Sequence, residues 1–176
     1  NKKFEQRLLV QSRMDALTKI CNRGYGEAQI EKLLKAKKNG MFLLFDVDKF
    51  KHINDTYGHS IGDEVLIQVA DALKQTFEQA GVCMRLGGDE FAVYAPEITE
   101  QMQAETMIQA FFERIRNIAI PQMEGDAISV SLGAVLCAPD REHVFEKVYQ
   151  RADATMYTCK KVIGNSYDFY TGRNPA

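Results

Sequence analysis

The chain has 176 residues, of which 45% are hydrophobic and 26% charged, and its formal net charge is −2. This composition is typical of one globular domain with a substantial core, and the net charge gives no support for sequence-independent binding of nucleic acid, which normally needs a basic surface. No nucleic-acid partner is therefore expected, and no apolar run approaches the ~20 residues that a helix needs to cross a bilayer. The four cysteines are widely spaced, which favours reduced thiols in a cytoplasmic domain over a zinc or redox site.

The first segment predicts a charged, amphipathic helix over residues 3–17. The chain begins with Asn1 instead of Met, which favours a fragment of a longer protein. On that interpretation residues 1–12 are the end of a linker helix from an upstream module, and segments outside this chain could anchor the whole protein to a membrane. The alternative is a helix that merely caps this domain.

The remaining elements follow from hydrophobic periodicity and from the positions of glycine and proline. In chain order they are a helix over 24–38, a strand over 41–46, a loop over 47–59, a helix over 60–79, a hairpin over 82–95, a helix over 100–118, a strand over 127–137, a helix over 142–160 and a short strand over 167–170. This order contains the β-α-β-β-α-β pattern of ferredoxin-like folds. We therefore expect an α+β fold, with an antiparallel sheet flanked by helices and an extra N-terminal helix.

The most informative short segment is Gly87-Gly88-Asp89-Glu90, which lies between two apolar stretches of strand length. The two glycines let the backbone turn tightly with positive φ, so that a bulky anion could lie against it. Asp89 and Glu90 then place carboxylate oxygens where Mg²⁺ could bind together with substrate phosphates. For a lone Gly-Gly-Asp, an ordinary hairpin with a polar tip would be the better interpretation.

A second acidic cluster weakens the interpretation as an ordinary hairpin. The apolar run 41–45 predicts a strand covered on both faces, and it ends in Asp46-Val47-Asp48. Because an unpaired charge is costly in a core, Asp46 should lie at the mouth of the strand or hold a cation. Two neighbouring strand ends that carry carboxylates form the arrangement needed for two-metal phosphoryl or nucleotidyl transfer.

Together, these motifs resemble a known family. The segment from Asp46 to Asp63 resembles the first signature of the GGDEF family of diguanylate cyclases, and Gly87-Gly88-Asp89-Glu90-Phe91 matches the motif that names it. Shorter matches are Asp15-Ala16-Leu17-Thr18 with Asn22-Arg23, Ser131-Leu132-Gly133, and Ala152-Asp153-Ala154-Thr155-Met156-Tyr157. The matches follow one order along the chain, which makes coincidence untenable. We therefore assign residues 13–172 to a GGDEF domain and residues 173–176 to a tail.

The resemblance implies a palm-type fold and an enzyme that condenses two GTP molecules into cyclic di-GMP, releasing two pyrophosphates. Each step would be the attack of a ribose 3′-hydroxyl on an α-phosphorus, where positioning and charge neutralisation supply most of the catalysis. Because each site would hold one GTP, the resemblance also implies a homodimer of antiparallel domains, controlled by an upstream sensor domain.

The resemblance assigns the metal site to Asp46, Asp89 and the backbone carbonyl of Val47, with Mg²⁺ as the cofactor and Mn²⁺ as a substitute. Asp89 and Glu90 are the expected catalytic residues. The family places the general base at Asp89, but a ligating carboxylate is a poor base, and a metal-lowered pKa of the hydroxyl describes the same step better. Glu90 would be either a further metal ligand or a partner in an ion pair behind the site.

Guanine recognition is assigned by the resemblance to Asn54 and Asp63, whose amide and carboxylate suit the edges of the base. Leu17 would supply an apolar wall, and His59 would lie near the nucleotide. For His59, the simpler interpretation is a hydrogen bond that orders the loop.

Phosphate binding would fall to the backbone N–H groups of Lys49 and Phe50 and to the side chains of Lys51 and Lys160. Arg85 precedes the glycine pair as it does in the family. It could contact a phosphate or pair with an acidic neighbour.

Two segments depart from the family pattern. Many members end in Lys-x-x-Gly-Arg-Asn, whose arginine contacts phosphate, whereas the segment from Lys160 to Asn165 has no arginine. The loss of one charge-assisted contact would weaken binding by about 1.5–3 kcal/mol unless Lys161 substitutes. The Arg-x-x-Asp product site of the family would fall at Glu78-Gln79-Ala80-Gly81, so no feedback inhibition of that type is expected.

The leading hypothesis is an active, Mg²⁺-dependent diguanylate cyclase that serves as the signalling output domain of a larger bacterial protein. The alternative is a catalytically inactive GGDEF domain that binds GTP and regulates a neighbouring domain. The missing arginine motivates the alternative, and the intact Asp89-Glu90 pair opposes it. A cyclase with a mixed dinucleotide product is a third hypothesis, although Asp63 favours guanine.

Overall fold

The computed structural model describes residues 1–172, and it shows a five-stranded sheet flanked by helices. The helices are α1 (Lys2–Arg13), α2 (Arg23–Lys35), α3 (Phe50–Tyr57), α4 (His59–Phe77), α5 (Gln101–Arg116) and α6 (Phe145–Cys159), with a short 3-10 helix at Pro121–Met123. The strands are β1 (Met41–Val47), β2 (Val82–Gly87), β3 (Glu90–Ala95), β4 (Val130–Leu136) and β5 (Ser166–Phe169). The expected tail, residues 173–176, lies outside the described residues.

The sheet has the strand order β2-β3-β1-β4-β5, and β1 at its centre runs antiparallel to both neighbours. All seven residues of β1 are buried, which confirms the strand predicted from the continuous apolar run. The α+β fold is confirmed, but the sheet is mixed because β5 runs parallel to β4. α6 lies between these two strands in the chain, and such a crossover connection is what a parallel pair needs.

Alternate residues of β1 enter two different cores, one on each face of the sheet. On one face, the Phe45 ring stacks on Phe91 at 5.3 Å between centroids and meets Phe111 of α5 at 4.9 Å. On the other face, Phe42 contacts Phe145 of α6 edge-on at 5.8 Å. The same alternation places Asp46, at the end of β1, on the face that α6 covers.

The largest differences from the predicted elements concern the first helix and the loop predicted over 47–59. The first helix ends at Arg13 instead of residue 17, because Met14 adopts extended backbone and bridges to Cys21. The predicted loop 47–59 contains α3, which begins after Lys49 in left-handed backbone (φ 53°). Polar residues dominate this segment, and they obscured the helical spacing of the apolar positions that pack on the core.

Two further sequence observations concern membranes and thiols. Within residues 1–172 no helix is both long enough and apolar enough to span a bilayer. All four cysteines are free, and three of them are buried while Cys21 is half-buried. Burial raises the pKa of Cys83 to about 12 and that of Cys137 to about 11, so these two thiols stay protonated and unreactive.

Candidate active site

Carboxylates from two neighbouring strands meet at one edge of the sheet. Asp46 of β1 and Glu90 of β3 are direct partners in the antiparallel register. Such partners project from the same face of a sheet, so the two acids lie side by side. Asp46 is only 8% exposed. The fold therefore brings together the two acidic segments that were recognised in the sequence.

Asp46 has a lysine on one oxygen and no partner on the other. The ammonium group of Lys160, which directly follows α6, lies 2.5 Å from Oδ2 of Asp46, while Oδ1 is buried without a hydrogen bond. Burial raises the pKa of Asp46 to about 6 against the lowering effect of Lys160, and the nearby charges of Asp89 and Asp48 add to the rise. A second positive charge near Oδ1 would relieve this unfavourable environment.

The glycine pair forms the turn that presents Asp89. Gly87 has φ 146° and Gly88 has φ 54°, and residues other than glycine rarely adopt such positive backbone angles. The backbone N–H of Val47 donates to the Asp89 carbonyl oxygen at 3.3 Å, which ties the turn to the end of β1. Burial raises the pKa of the Asp89 carboxyl group, although neighbouring backbone N–H groups and basic side chains oppose the rise.

Arg85 pairs with an acidic neighbour, the second of its two predicted roles. Its Nε and Nη2 donate to the carbonyl oxygen of Gly88 at 2.9 and 2.8 Å, and its Nη1 lies 3.2 Å from Oδ2 of Asp15. Asp15 also accepts from the backbone N–H and the hydroxyl of Thr18. Burial acts to raise the pKa of Asp15, but the bonds from Thr18 and Arg85 outweigh it, so the pKa is lowered. Arg85 thus fixes the glycine turn.

Three hydrogen bonds of the acidic cluster were not predicted from the sequence motifs. The hydroxyl of Tyr149, on α6, donates to Oε1 of Glu90 at 2.6 Å. The two oxygens of Asp48 accept from the hydroxyls of Ser129 and Ser131, each at 2.6 Å, which joins the end of β1 to β4. Asp48 and Ser131 both lie in recognised motifs, and this was the only sequence signal that could have indicated their contact. Tyr149 lies in no recognised motif.

The residues expected to contact guanine belong to α3, α4 and the segment after α1. Oδ1 of Asn54 is buried without a hydrogen-bond partner, and a Cβ at Gly62 would lie 1.8 Å from it. Asp63 and His59 are exposed in the first two turns of α4, whereas Leu17 is half-buried and packs against the core. Of these four described residues, only Asn54 therefore has a buried polar atom that needs a hydrogen-bond donor.

The residues expected to contact phosphate lie at the start of α3. Lys49 and Lys51 are exposed, Phe50 is half-buried, and no side chain caps the helix start. The first N–H groups of a helix have no partner within the helix, so they can face an anion. Among residues 1–172, no hydrogen bond or ion pair joins Lys51, His59 or Asp63 to the acidic cluster.

The acidic cluster is the candidate binding site for a divalent cation. In the part of the chain that the structure describes, no three His, Cys, Asp or Glu side chains are arranged as a ready cation site. Lys160 and Tyr149 occupy one oxygen each of Asp46 and Glu90. The buried, unpartnered Oδ1 of Asp46 and the hard oxygen donors around it nevertheless fit Mg²⁺, which prefers a few carboxylates plus phosphate oxygens.

The chain is similar to proteins of one family. The family model described as "Diguanylate cyclase, GGDEF domain" matches residues 12–166. Diguanylate cyclase DosC of Escherichia coli (strain K12) is 36% identical over 160 residues, which cover 84% of this chain and 33% of that protein. The uncharacterized protein YtrP of Bacillus subtilis (strain 168) is 30% identical over 161 residues, which cover 92% of this chain and 27% of that protein.

Solved structures show the same fold. The coiled coil and GGDEF domain of DgcB from Caulobacter crescentus, in complex with c-di-GMP, aligns with a TM-score of 0.84 at 23% identity, covering 96% of this chain and 91% of that one. The GGDEF domain of TpbB (YfiN) from Pseudomonas aeruginosa aligns with a TM-score of 0.78 at 27% identity, covering 90% and 94%. The chain therefore belongs to the GGDEF domain family of diguanylate cyclases. It spans about a third or less of the length of the two curated relatives above.

Proposed function

We propose that this chain is the catalytic domain of a diguanylate cyclase, which joins two GTP molecules into cyclic di-GMP and releases two pyrophosphates. The observation that carries the proposal is the convergence of Asp46, Asp89 and Glu90 with Lys160 at one edge of the sheet. Carboxylates for a divalent cation and a lysine for phosphate are groups that nucleotidyl transfer needs. Family membership and the similarity to DosC support the same activity.

Asp46, Asp89 and the carbonyl oxygen of Val47, with Glu90 as a further ligand, would hold Mg²⁺, or Mn²⁺ in its place. When bound, such an ion neutralises phosphate charge and lowers the pKa of a nearby hydroxyl, here the ribose 3′-hydroxyl. Lys160, whose ammonium group pairs with Oδ2 of Asp46, would supply a positive charge for the triphosphate.

Asn54 and Asp63 would read the guanine edge. The buried oxygen of Asn54 has no partner in the chain, and a donor on the base would satisfy it. Adenine would leave these polar groups unpaired, which selects GTP over ATP. The other nucleotide contacts would come from Leu17, His59, Lys49, Phe50 and Lys51.

Catalysis would require a homodimer, since each site holds one GTP and the product contains two. An upstream sensor domain, joined through residues 1–12 of the linker helix, would control how the two domains meet in the cytoplasm. α1 has no buried residue, which suits a helix whose partner lies outside this domain. Feedback through an Arg-x-x-Asp product site is not part of the proposal, because residues 78–81 have neither the arginine nor the aspartate of that motif.

One observation favours the alternative of an inactive, GTP-binding regulatory domain. The phosphate-binding arginine of the family is missing between Lys160 and Asn165. The Asn165 side chain accepts a hydrogen bond from the Val130 N–H at 3.0 Å, so this segment closes the domain. Nucleotide could still bind through the remaining lysines, with fewer charge-assisted contacts.

The deciding experiment is incubation of the concentrated chain with GTP and Mg²⁺, followed by chromatography and mass analysis of the products. We expect cyclic di-GMP from the wild type and none from Asp89→Ala. As a matched control, Asp71→Ala removes an exposed carboxylate in the middle of α4 and should retain the wild-type rate. Bound but unchanged GTP would favour the regulatory alternative, and a lack of GTP binding would contradict both.

A further inference from the structure

Glu90 has a hydrogen-bond donor that lies outside every recognised motif. Tyr149 on α6 donates from its hydroxyl to Oε1 of Glu90 at 2.6 Å. This is a short hydrogen bond to a carboxylate, the kind that is stronger than a bond between neutral groups. The contact joins α6 directly to the strand end that carries the acidic turn.

The tyrosine ring is anchored by the core. Its centroid lies 6.2 Å from that of Phe145, one turn earlier on α6, and Phe145 in turn contacts Phe42 of β1 edge-on. The same packing that fixes β1 therefore fixes the position of the hydroxyl. A flexible glutamate side chain that is held by a rigid donor loses rotamer freedom before any ligand binds.

Tyr149 of α6 and Lys160, the residue that caps the end of this helix, provide one donor to each of the two register-paired acids. Tyr149 and Lys160 are eleven positions apart, which is about three helical turns, so both lie on the same side of the helix. Lys160 pairs with Asp46, while Tyr149 bonds to Glu90. Like charges that lie directly opposite on paired strands repel each other, and the two donors stabilise them in this arrangement.

The two donors differ in chemistry. An ammonium group brings a full charge and competes with a cation for the same carboxylate. A phenol hydroxyl is neutral and occupies one oxygen of Glu90, so the other oxygen can bind a cation while the hydroxyl holds the side chain. Donors behind a metal-binding carboxylate commonly orient it in this way.

We propose that Tyr149 is a positioning residue: its hydroxyl holds one oxygen of Glu90 so that the other is oriented toward the divalent cation of the active site. The inference rests on the proposed function, because it takes Glu90 as a cation ligand. Tyr149 itself would touch neither substrate nor cation.

The test is direct Mn²⁺ binding by the whole chain in the presence of a non-hydrolysable GTP analogue, followed through the electron paramagnetic resonance signal of free Mn²⁺. Tyr149→Phe removes only the hydroxyl, and we expect Mn²⁺ to bind on the order of 10-fold more weakly. In turnover with GTP, the Mn²⁺ concentration for half-maximal rate should rise by a similar factor, while kcat at saturating Mn²⁺ stays near that of the wild type.

The matched control is Tyr94→Phe, which removes a hydroxyl that donates to the Lys38 carbonyl at 2.7 Å, toward the opposite end of β3. This variant should unfold at a lower temperature and bind Mn²⁺ as the wild type does. Wild-type Mn²⁺ affinity in Tyr149→Phe, or an equal loss in Tyr94→Phe, would overturn the inference even if the wild type makes cyclic di-GMP. A wild type that binds no Mn²⁺ would overturn both the inference and the proposed metal-dependent function.

Discussion

The acidic side chains of the site differ in their partners, although they look alike in the sequence. Asp46 pairs with Lys160, Asp48 accepts from two serine hydroxyls, and Glu90 accepts from Tyr149. Among the acidic side chains of residues 1–172, only Asp46 retains a buried oxygen without a hydrogen bond. The residue that most needs a cation is therefore Asp46, whereas Asp48 is satisfied within the chain.

The ion pair between Asp15 and Arg85 should stabilise the glycine turn in a pH-dependent way. At pH 7 we expect Asp15→Asn to lower the free energy of unfolding by about 1–3 kcal/mol, because a partly buried charged hydrogen bond is lost. Since the pKa of Asp15 is lowered in the folded chain, this advantage of the wild type is present above the ordinary value of 3.8 and disappears as the pH falls through the lowered one. Urea unfolding at pH 7 and at acid pH measures both effects.

Glu113→Gln provides the comparison for an exposed ion pair. Glu113 pairs with Arg116 at 2.6 Å, but both side chains are more than half exposed. We expect its loss to change stability by about 0–1 kcal/mol. Equal costs for the two substitutions at pH 7 would refute the special role of Asp15.

We expect Gly62 to be required for binding of the nucleotide and not for stability of the fold. In Gly62→Ala the new Cβ would lie 1.8 Å from Oδ1 of Asn54, and that side chain must move. Helix propensity favours alanine by about 1 kcal/mol, which offsets the strain in stability. We therefore expect GTP affinity to fall by about 10-fold, the equivalent of ~1.4 kcal/mol, with little change in melting temperature. Calorimetric GTP titration and thermal unfolding separate the two quantities.

Gly24→Ala is the control for Gly62→Ala. Gly24 is also helical, but a Cβ there meets only Oδ1 of Asn22 at an ordinary 3.8 Å. Its GTP affinity should equal that of the wild type. If Gly62→Ala also bound GTP normally, Asn54 would have no part in recognition.

The position of α6 relative to the sheet depends on one glycine of β4. A Cβ at Gly133 would lie 2.2 Å from the carbonyl oxygen of Ala152 and 2.6 Å from the backbone nitrogen of Met156. Both obstacles are backbone atoms of α6, which cannot rotate out of the way. Because α6 carries Tyr149 and is followed by Lys160, this close approach also determines where two donors of the site lie.

Gly133→Ala should therefore affect stability and binding together. Overpacking of a core typically costs about 1–3 kcal/mol, and a backbone obstacle places this variant at the upper end of that range. We expect a lower urea midpoint and weaker Mn²⁺ binding, since the helix must move away from the sheet. Reduced stability with unchanged Mn²⁺ binding would show that the site tolerates a displaced α6.

At the scale of the whole molecule, one sheet links both cores to the site. β1 contributes alternate residues to each core and carries Asp46 near its end, beside Glu90 of β3. One domain nevertheless offers one set of these carboxylates, whereas the proposed product needs two nucleotides.

The rate per subunit should rise with protein concentration, because two domains must meet to form cyclic di-GMP. Product formation measured over a dilution series, with the oligomeric state followed by light scattering, checks this expectation. A constant rate per subunit in a strictly monomeric sample would contradict the requirement for a homodimer.

The sequence by itself determined the strand predicted over residues 41–46, the glycine turn and the proximity of two acidic strand ends, because hydrophobic periodicity and glycine chemistry are local signals. It failed at α3, where polar residues obscured the helical spacing, and at β5, where the direction of pairing depends on how α6 crosses the sheet. Only the tertiary structure revealed that Tyr149 bonds to Glu90 and Lys160 to Asp46. These donors are far from their acceptors in the chain, and only the packing of α6 over Gly133 brings them within reach.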